Sequence, residues 1–217
     1  DVIQDICRRY GVLLIMDEVV CGMGRTGKWF GYQHYGASPD IVTMAKGVAS
    51  AYMPISVTAT TENVFAKFLN DPGDKMAYFR DISTFGGCAA GCSAALESTR
   101  IIEEENLLDN CARMGERLLD GLKDMAGLPF VGDVRGRGLL CGIEMVKDKA
   151  TREPVDESYV IRVAGEIAAR GVLVGRTNRS LPGQNNILNL APALCVSAGE
   201  IDAILAAVKA GLEAAAK

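Results

Sequence analysis

Two short runs of strand length, the unbroken apolar Val12–Met16 and Ile41–Met44, apolar but for Thr43, constrain this chain more than any other feature. Each has the length of a strand buried on both faces, and each is followed at once by ionisable residues and glycine. The first leads into Asp17-Glu18 and a loop carrying Gly22, Gly24, Gly27 and Gly31; the second leads into Ala45-Lys46-Gly47. Ahead of the first run the pattern predicts an amphipathic helix over Asp1–Tyr10. Val2, Ile3, Ile6 and Cys7 share one stripe of it, and Gly11 stands as its C-cap. Pro54 to Thr60 reads as another strand. Unalternating strands beside helices predict an α/β fold with a parallel or mixed sheet covered on both faces.

The remainder has a different texture. Gly86-Gly87-Cys88 opens a helical tract from about Ala89 to Met125, one bent helix or two, with Asn106 and Asn110 as its weak points. Val131–Gly138 reads as a glycine-punctuated turn, Leu139–Val146 as a strand, and Lys147 to Glu153 as a charged hairpin. A helix over Ser158–Arg170 and short strands at Val172–Val174 and Ile187–Leu190 follow. Ser197-Ala198-Gly199-Glu200 fits a capping box that opens a terminal helix. We therefore expect two domains, residues 1–106 and 107–217, parted within the helical tract.

Composition narrows the function classes. A net charge of -4 argues against a general nucleic-acid binder, and no apolar run approaches the roughly 18 residues of a membrane span. The 7 cysteines are odd in number, irregularly spaced and without a C-x-x-C pair. That predicts reduced, mostly buried thiols in a cytoplasmic protein rather than a disulfide framework. With His34 the only histidine, no metal site is expected. The chain opens on Asp1-Val2-Ile3-Gln4, within a helical pattern and with no signal-peptide features, as a fragment of a larger protein would.

The chemistry lies at the two strand ends. Asp17 sits where open α/β sheets bind ligands, although taken alone it reads better as a helix cap or one half of a loop ion pair. Lys46 could be a surface lysine in a turn; beside apolar surface it could instead serve as a Schiff-base amine. The pair says more than either part, because two neighbouring strands would bring an acid and an amine to one crevice. Pyridoxal 5'-phosphate needs that pair: a lysine to hold its aldehyde, and an acid to keep the pyridine nitrogen protonated.

Asp17-Glu18-Val19, the loop Gly22-Met23-Gly24-Arg25-Thr26-Gly27 and Ala45-Lys46-Gly47 resemble, in order and interval, the class III (omega) aminotransferases of pyridoxal-phosphate fold type I. Ser83-Thr84-Phe85-Gly86-Gly87, Val134-Arg135-Gly136-Arg137-Gly138-Leu139 and Ala191-Pro192-Ala193-Leu194 extend the resemblance along the whole chain. It implies a large-domain mixed sheet followed by a C-terminal small α/β domain. It also implies that Lys46 binds the cofactor and moves the proton, that Asp17 pairs with the pyridine nitrogen, and that Val19 packs on one ring face. Thr84 would reach the cofactor phosphate across a homodimer interface; without the resemblance it could as well cap a helix. The sequence departs from the family where Asp81 and Cys88 replace histidines around the threonine segment, and where Ala193 replaces a proline. Family members are about twice as long, so the phosphate loop and the second ring face would lie in a half that precedes Asp1.

Within the family, Asp81 to Gly87, Glu105 to Cys111, Lys147 to Thr151 and Gly175 to Ser180 are most similar to members that pass an amino group from taurine to pyruvate. The last stretch holds Arg176 and Arg179, either of which could take the donor's carboxylate or sulfonate, Arg176 being the nearer to a strand. Alternatives are a donor such as beta-alanine, a diamine or 4-aminobutyrate, a mutase or decarboxylase using the same lysine, an inactive fragment, or, for the arginines, a solvated basic loop.

Overall fold

A computed structural model describes residues 2–69, 73, 79 and 81–215; the expected helix start at Asp1 lies outside them. The chain forms two compact units, Asp1–Gly24 with Lys28–Glu105, and Arg25–Gly27 with Asn106–Lys217.

In the first unit, helix α1 (Val2–Tyr10) stops at Gly11, which takes φ +63°. The amide of Val12 donates to the Cys7 carbonyl at 2.9 Å, so the helix end is satisfied by main chain. Strand β1 is Ile15–Asp17, shorter at its start than Val12–Met16 and one residue longer at its end. The cause is local: Leu14 donates its amide to the Asp40 carboxylate at 2.8 Å and accepts the Asp40 amide at 2.9 Å, a side-chain clamp ahead of the ladder. Strand β2 (Ile41–Met44) runs parallel to β1, and β3 (Val57–Thr60) runs antiparallel to β2, giving a mixed sheet in the order β1-β2-β3. The short helix α2 (Glu62–Phe65) follows, and α3 (Ala89–Glu104) closes the unit.

The apolar strands are not covered on both faces by the described residues. Ile15 is 57% exposed, β3 is exposed along its length, and α1 has no buried residue, with Val2 and Ile3 of its apolar stripe open. The hydrophobic residues that this unit does bury are Leu14, Val42, Val48, Ala49 and Ile102.

The helical tract resolves into two helices. Asn106 adopts φ +52°, ending the α3 direction, and α4 (Leu107–Lys123) begins anew. Asparagine reaches this left-handed region more readily than most residues. The second unit continues with β4 (Val131–Arg137), β5 (Leu140–Asp148), β6 (Glu153–Pro154), α5 (Glu157–Ala168), β7 (Gly175–Arg176), β8 (Ile187–Leu190) and α6 (Ala198–Ala215). The strands form an antiparallel sheet in the order β4-β5-β8-β7, with β6 on β5.

Two expectations are corrected here. Val131–Gly138 is not a turn but strand β4: its glycines allow close cross-strand approach, since a Cβ at Gly132 would lie 2.6 Å from a Val146 methyl. The strand expected at Val172–Val174 falls instead at Gly175–Arg176, where Gly175 pairs with Asn189 and Arg176 with Leu188. On β5, Cys141, Ile143 and Met145 alternate inward; with Leu118 and Leu122 of α4, Val163 and Ile167 of α5, and Ile201 and Val208 of α6, they make one continuous core.

Candidate active site

Parallel pairing places the carboxyl ends of β1 and β2 at the same end of the sheet. Asp17 lies opposite Thr43, and the amide of Glu18 donates to the Thr43 carbonyl at 2.9 Å. Lys46 follows three residues beyond Thr43, so the structure brings the ends bearing Asp17 and Lys46 side by side. The Asp17 carboxylate accepts the Val19 amide at 3.0 Å, a local turn that fixes its rotamer. Val19 is half-buried and both charged side chains are exposed; the described residues do not supply the apolar surroundings expected around Lys46.

The backbone at Lys46 is unusual. It takes φ +42°, in the left-handed region, at a cost of about 1–3 kcal/mol for such a conformation. Its neighbours over-determine it. Val48 donates to the Ala45 carbonyl at 3.0 Å, and the Gly47 carbonyl accepts from the Ser50 amide and from the hydroxyl of Ser98. Met23, itself at φ +57°, lies against Gly47 so closely that a Cβ there would stand 3.0 Å from the Met23 Cβ. Val48 and Ala49 are buried. The glycine-rich loop and helix α3 thus hold the lysine's peptide from two sides.

Thr84 lies in an exposed turn in which Gly86 donates to the Ser83 carbonyl at 3.0 Å and Cys88 to the Phe85 carbonyl at 3.2 Å. It does not cap α3; Cys88 holds that position. In the second unit the Arg176 guanidinium pairs with Glu157 at 2.6 Å, and Asn185 adds a bond to the same carboxylate at 3.2 Å. Arg176 chiefly, with Asn185, holds the Glu157 carboxyl below the usual carboxylate range. Arg179 is exposed, and among the described residues no acid pairs with it.

Three supports of these strand ends are not marked by residue type alone. Ser98 and Met23 carried no local signal, because their roles depend on partners 51 and 24 positions away. Glu18 stood within the acidic pair, but its burial depends on a loop that bends back onto it. The thiols also differ from expectation: Cys111 and Cys141 are buried, but Cys88, Cys92 and Cys195 are exposed. Burial pushes the Cys141 thiol up to about 11.

The fold is shared with solved aminotransferases. A Bacillus anthracis aminotransferase aligns over 98% of this chain and 47% of its own, at 45% identity and a TM-score of 0.94. A thermostable omega transaminase 6-fold mutant from Pseudomonas jessenii aligns over 98% of this chain and 46% of its own, at 32% identity and a TM-score of 0.89. The chain belongs to aminotransferase class III, whose family model matches residues 1–212, and its α/β, fold type I architecture is that of the family. Curated relatives include the taurine–pyruvate aminotransferase of Bilophila wadsworthia, 59% identical over 209 residues, and the hypotaurine/taurine–pyruvate aminotransferase of Paracoccus denitrificans, 58% identical over 207. These alignments cover 96% and 95% of this chain but 46% and 45% of the relatives, so the chain spans about half their length.

Proposed function

We propose that this chain is the C-terminal half of a pyridoxal-5'-phosphate-dependent transaminase that moves an amino group from taurine, or a closely similar omega-amino acid, to pyruvate. The observation that carries the reading is the parallel pairing of the two strands whose adjoining carboxyl ends lead to Asp17 and Lys46, with the lysine's backbone held in a costly conformation. An acid and an amine so placed fit the cofactor's two demands, and the names of the relatives point to the donor and acceptor. When bound, the cofactor supplies an electron sink.

This chain's residues do the rest. Lys46 Nζ would hold the cofactor aldehyde and would accept the proton from the donor's amine-bearing carbon. Asp17, its carboxylate oriented by the Val19 amide, keeps the pyridine nitrogen protonated. Val19 packs against one ring face. Thr84 serves the phosphate of a neighbouring subunit, which makes the working enzyme a homodimer or larger. Arg176 or Arg179 binds the donor's acid group. Residues 1–106 form part of the cofactor-binding large domain and 107–217 the small domain of a cytoplasmic enzyme about twice this length. No described helix is long and apolar enough to cross a membrane.

Borohydride reduction of the full-length protein with pyridoxal phosphate, followed by peptide mapping, tests the site. Label on the Lys46 peptide is expected; label on Lys28 or Lys67 instead rejects the assignment. Turnover of a diamine with none of taurine would reject the donor while keeping the transaminase.

A further inference from the structure

We propose that Glu18 is the positioning residue of this site: it sets the direction of Asp17 by bolting the end of β1 to the segment Gly31-Tyr32. The inference rests on the cofactor-binding role of Asp17 and Lys46. Glu18 is only 4% exposed, and among the described residues no cation pairs with it. Its partners are main chain. The Gly31 amide donates to Oε2 at 2.9 Å and the Tyr32 amide to Oε1 at 2.8 Å, one successive donor for each oxygen. A buried carboxylate is tolerated only when hydrogen-bonded, and two fixed amides leave its side chain a single arrangement. The cradle closes around glycine: a Cβ at Gly31 would stand 3.0 Å from the Cys21 Cβ and 3.3 Å from Glu18 Oε1.

The backbone of Glu18 is committed as well. Its amide donates to Thr43 of β2 and its carbonyl accepts the Gly22 amide, both at 2.9 Å. Side chain, carbonyl and amide thus tie one residue to both ends of the glycine-rich loop, at Gly31-Tyr32 and at Gly22, and to the strand that leads to Lys46. Successive side chains at a strand end leave on opposite faces. With Glu18 fixed inward, Asp17 is presented outward, where its carboxylate meets the Val19 amide. Glutamine cannot replace this, because its single carbonyl oxygen accepts from one amide while its NH₂ confronts the other.

The test uses Glu18→Gln in the full-length protein. Without cofactor, amide hydrogen exchange should accelerate at Gly31 and Tyr32 and also at Val19, because the Asp17 carboxylate is no longer held over it. With cofactor, kcat should fall about tenfold to a hundredfold, the scale of a catalytic group misplaced by about an ångström, while the donor KM changes little. The pH midpoint of the cofactor's visible absorbance should move with it. Glu18→Asp, which keeps the charge but reaches less far, should fall between parent and Gln, and it carries the test if the Gln variant does not fold. Faster exchange at Gly31 and Tyr32 alone, with Val19, the absorbance midpoint and kcat unchanged, would reduce Glu18 to a loop brace and overturn the proposal. Failure of the cofactor reading looks different: the parent itself would then show no cofactor absorbance and no Lys46 label, while exchange at Val19 in the cofactor-free protein would still report on Glu18.

Discussion

Arg176 and Arg179 stand three positions apart and face different demands. Arg176 already holds Glu157 at 2.6 Å, so a substrate acid would have to displace that carboxylate; among the described residues Arg179 has no acid to release. Arg179→Leu should therefore raise the KM for taurine and beta-alanine about tenfold to a hundredfold, the loss of one charge-assisted contact, yet spare an uncharged amine. Arg176→Leu should do less. Steady-state kinetics with the three donors decides it, and equal use of taurine by both variants and the parent would leave the loop as basic surface. The adjoining strand ends that carry Asp17 and Lys46 are legible in the sequence because each follows a short, largely apolar run, so two local signals coincide. Glu18, Ser98 and Met23 could not be found that way, since each acts through a fold that returns distant backbone to it. The cysteines misled for a related reason: composition ranks thiols as buried, but Cys88, at the exposed start of α3, obeys its position rather than its type.

Helix α6 shows how far local chemistry alone fixes an element. Ser197 and Glu200 form the reciprocal box that their spacing predicts: the Glu200 amide donates to Ser197 Oγ at 3.3 Å, and the Ser197 amide to the Glu200 carboxylate at 2.8 Å. Ser197→Ala should cost about 1 kcal/mol, read as a lower urea midpoint. The bond from the Ser197 amide holds the Glu200 carboxyl below its usual range, so its contribution is present at neutral pH and is lost as the pH falls through that lowered value. Glu200→Gln should accordingly destabilise at pH 7 and converge on the parent as the pH falls through the lowered Glu200 value. Strand β4 is the opposite case. Gly132 answers to Val146, and Gly136 to Leu140 and Cys141, on the neighbouring strand and not to any turn of their own, so no local rule reveals it. The α3–α4 break lies between these cases: Asn106 marks a weak point, but only the structure decides that it takes φ +52°.

Taken whole, the chain is unevenly finished. The second unit encloses a continuous core, whereas in the first the stripe of α1 and the outer strands remain open among the described residues. An unfinished sheet beside a chain about half as long as its relatives leads to a direct expectation. These 217 residues alone should take up pyridoxal phosphate weakly, and a protein of the relatives' full length stoichiometrically, as read by equilibrium dialysis with absorbance. Tight uptake by the short chain would show that the second ring face and the phosphate loop are not needed from elsewhere. The three residues Arg25–Gly27, which group with the second unit although their chain neighbours group with the first, bear on how such proteins can be recombined. Arg25 donates its guanidinium to the Leu139 and Pro192 carbonyls, while its own carbonyl accepts the Leu139 amide and the Cys111 thiol. A chimaera spliced only at the Glu105–Asn106 junction would inherit a foreign Arg25–Gly27 against its new Leu139, Pro192 and Cys111. Exchange of specificity by grafting the C-terminal unit therefore requires two crossovers upstream as well, and the natural module is discontinuous in sequence.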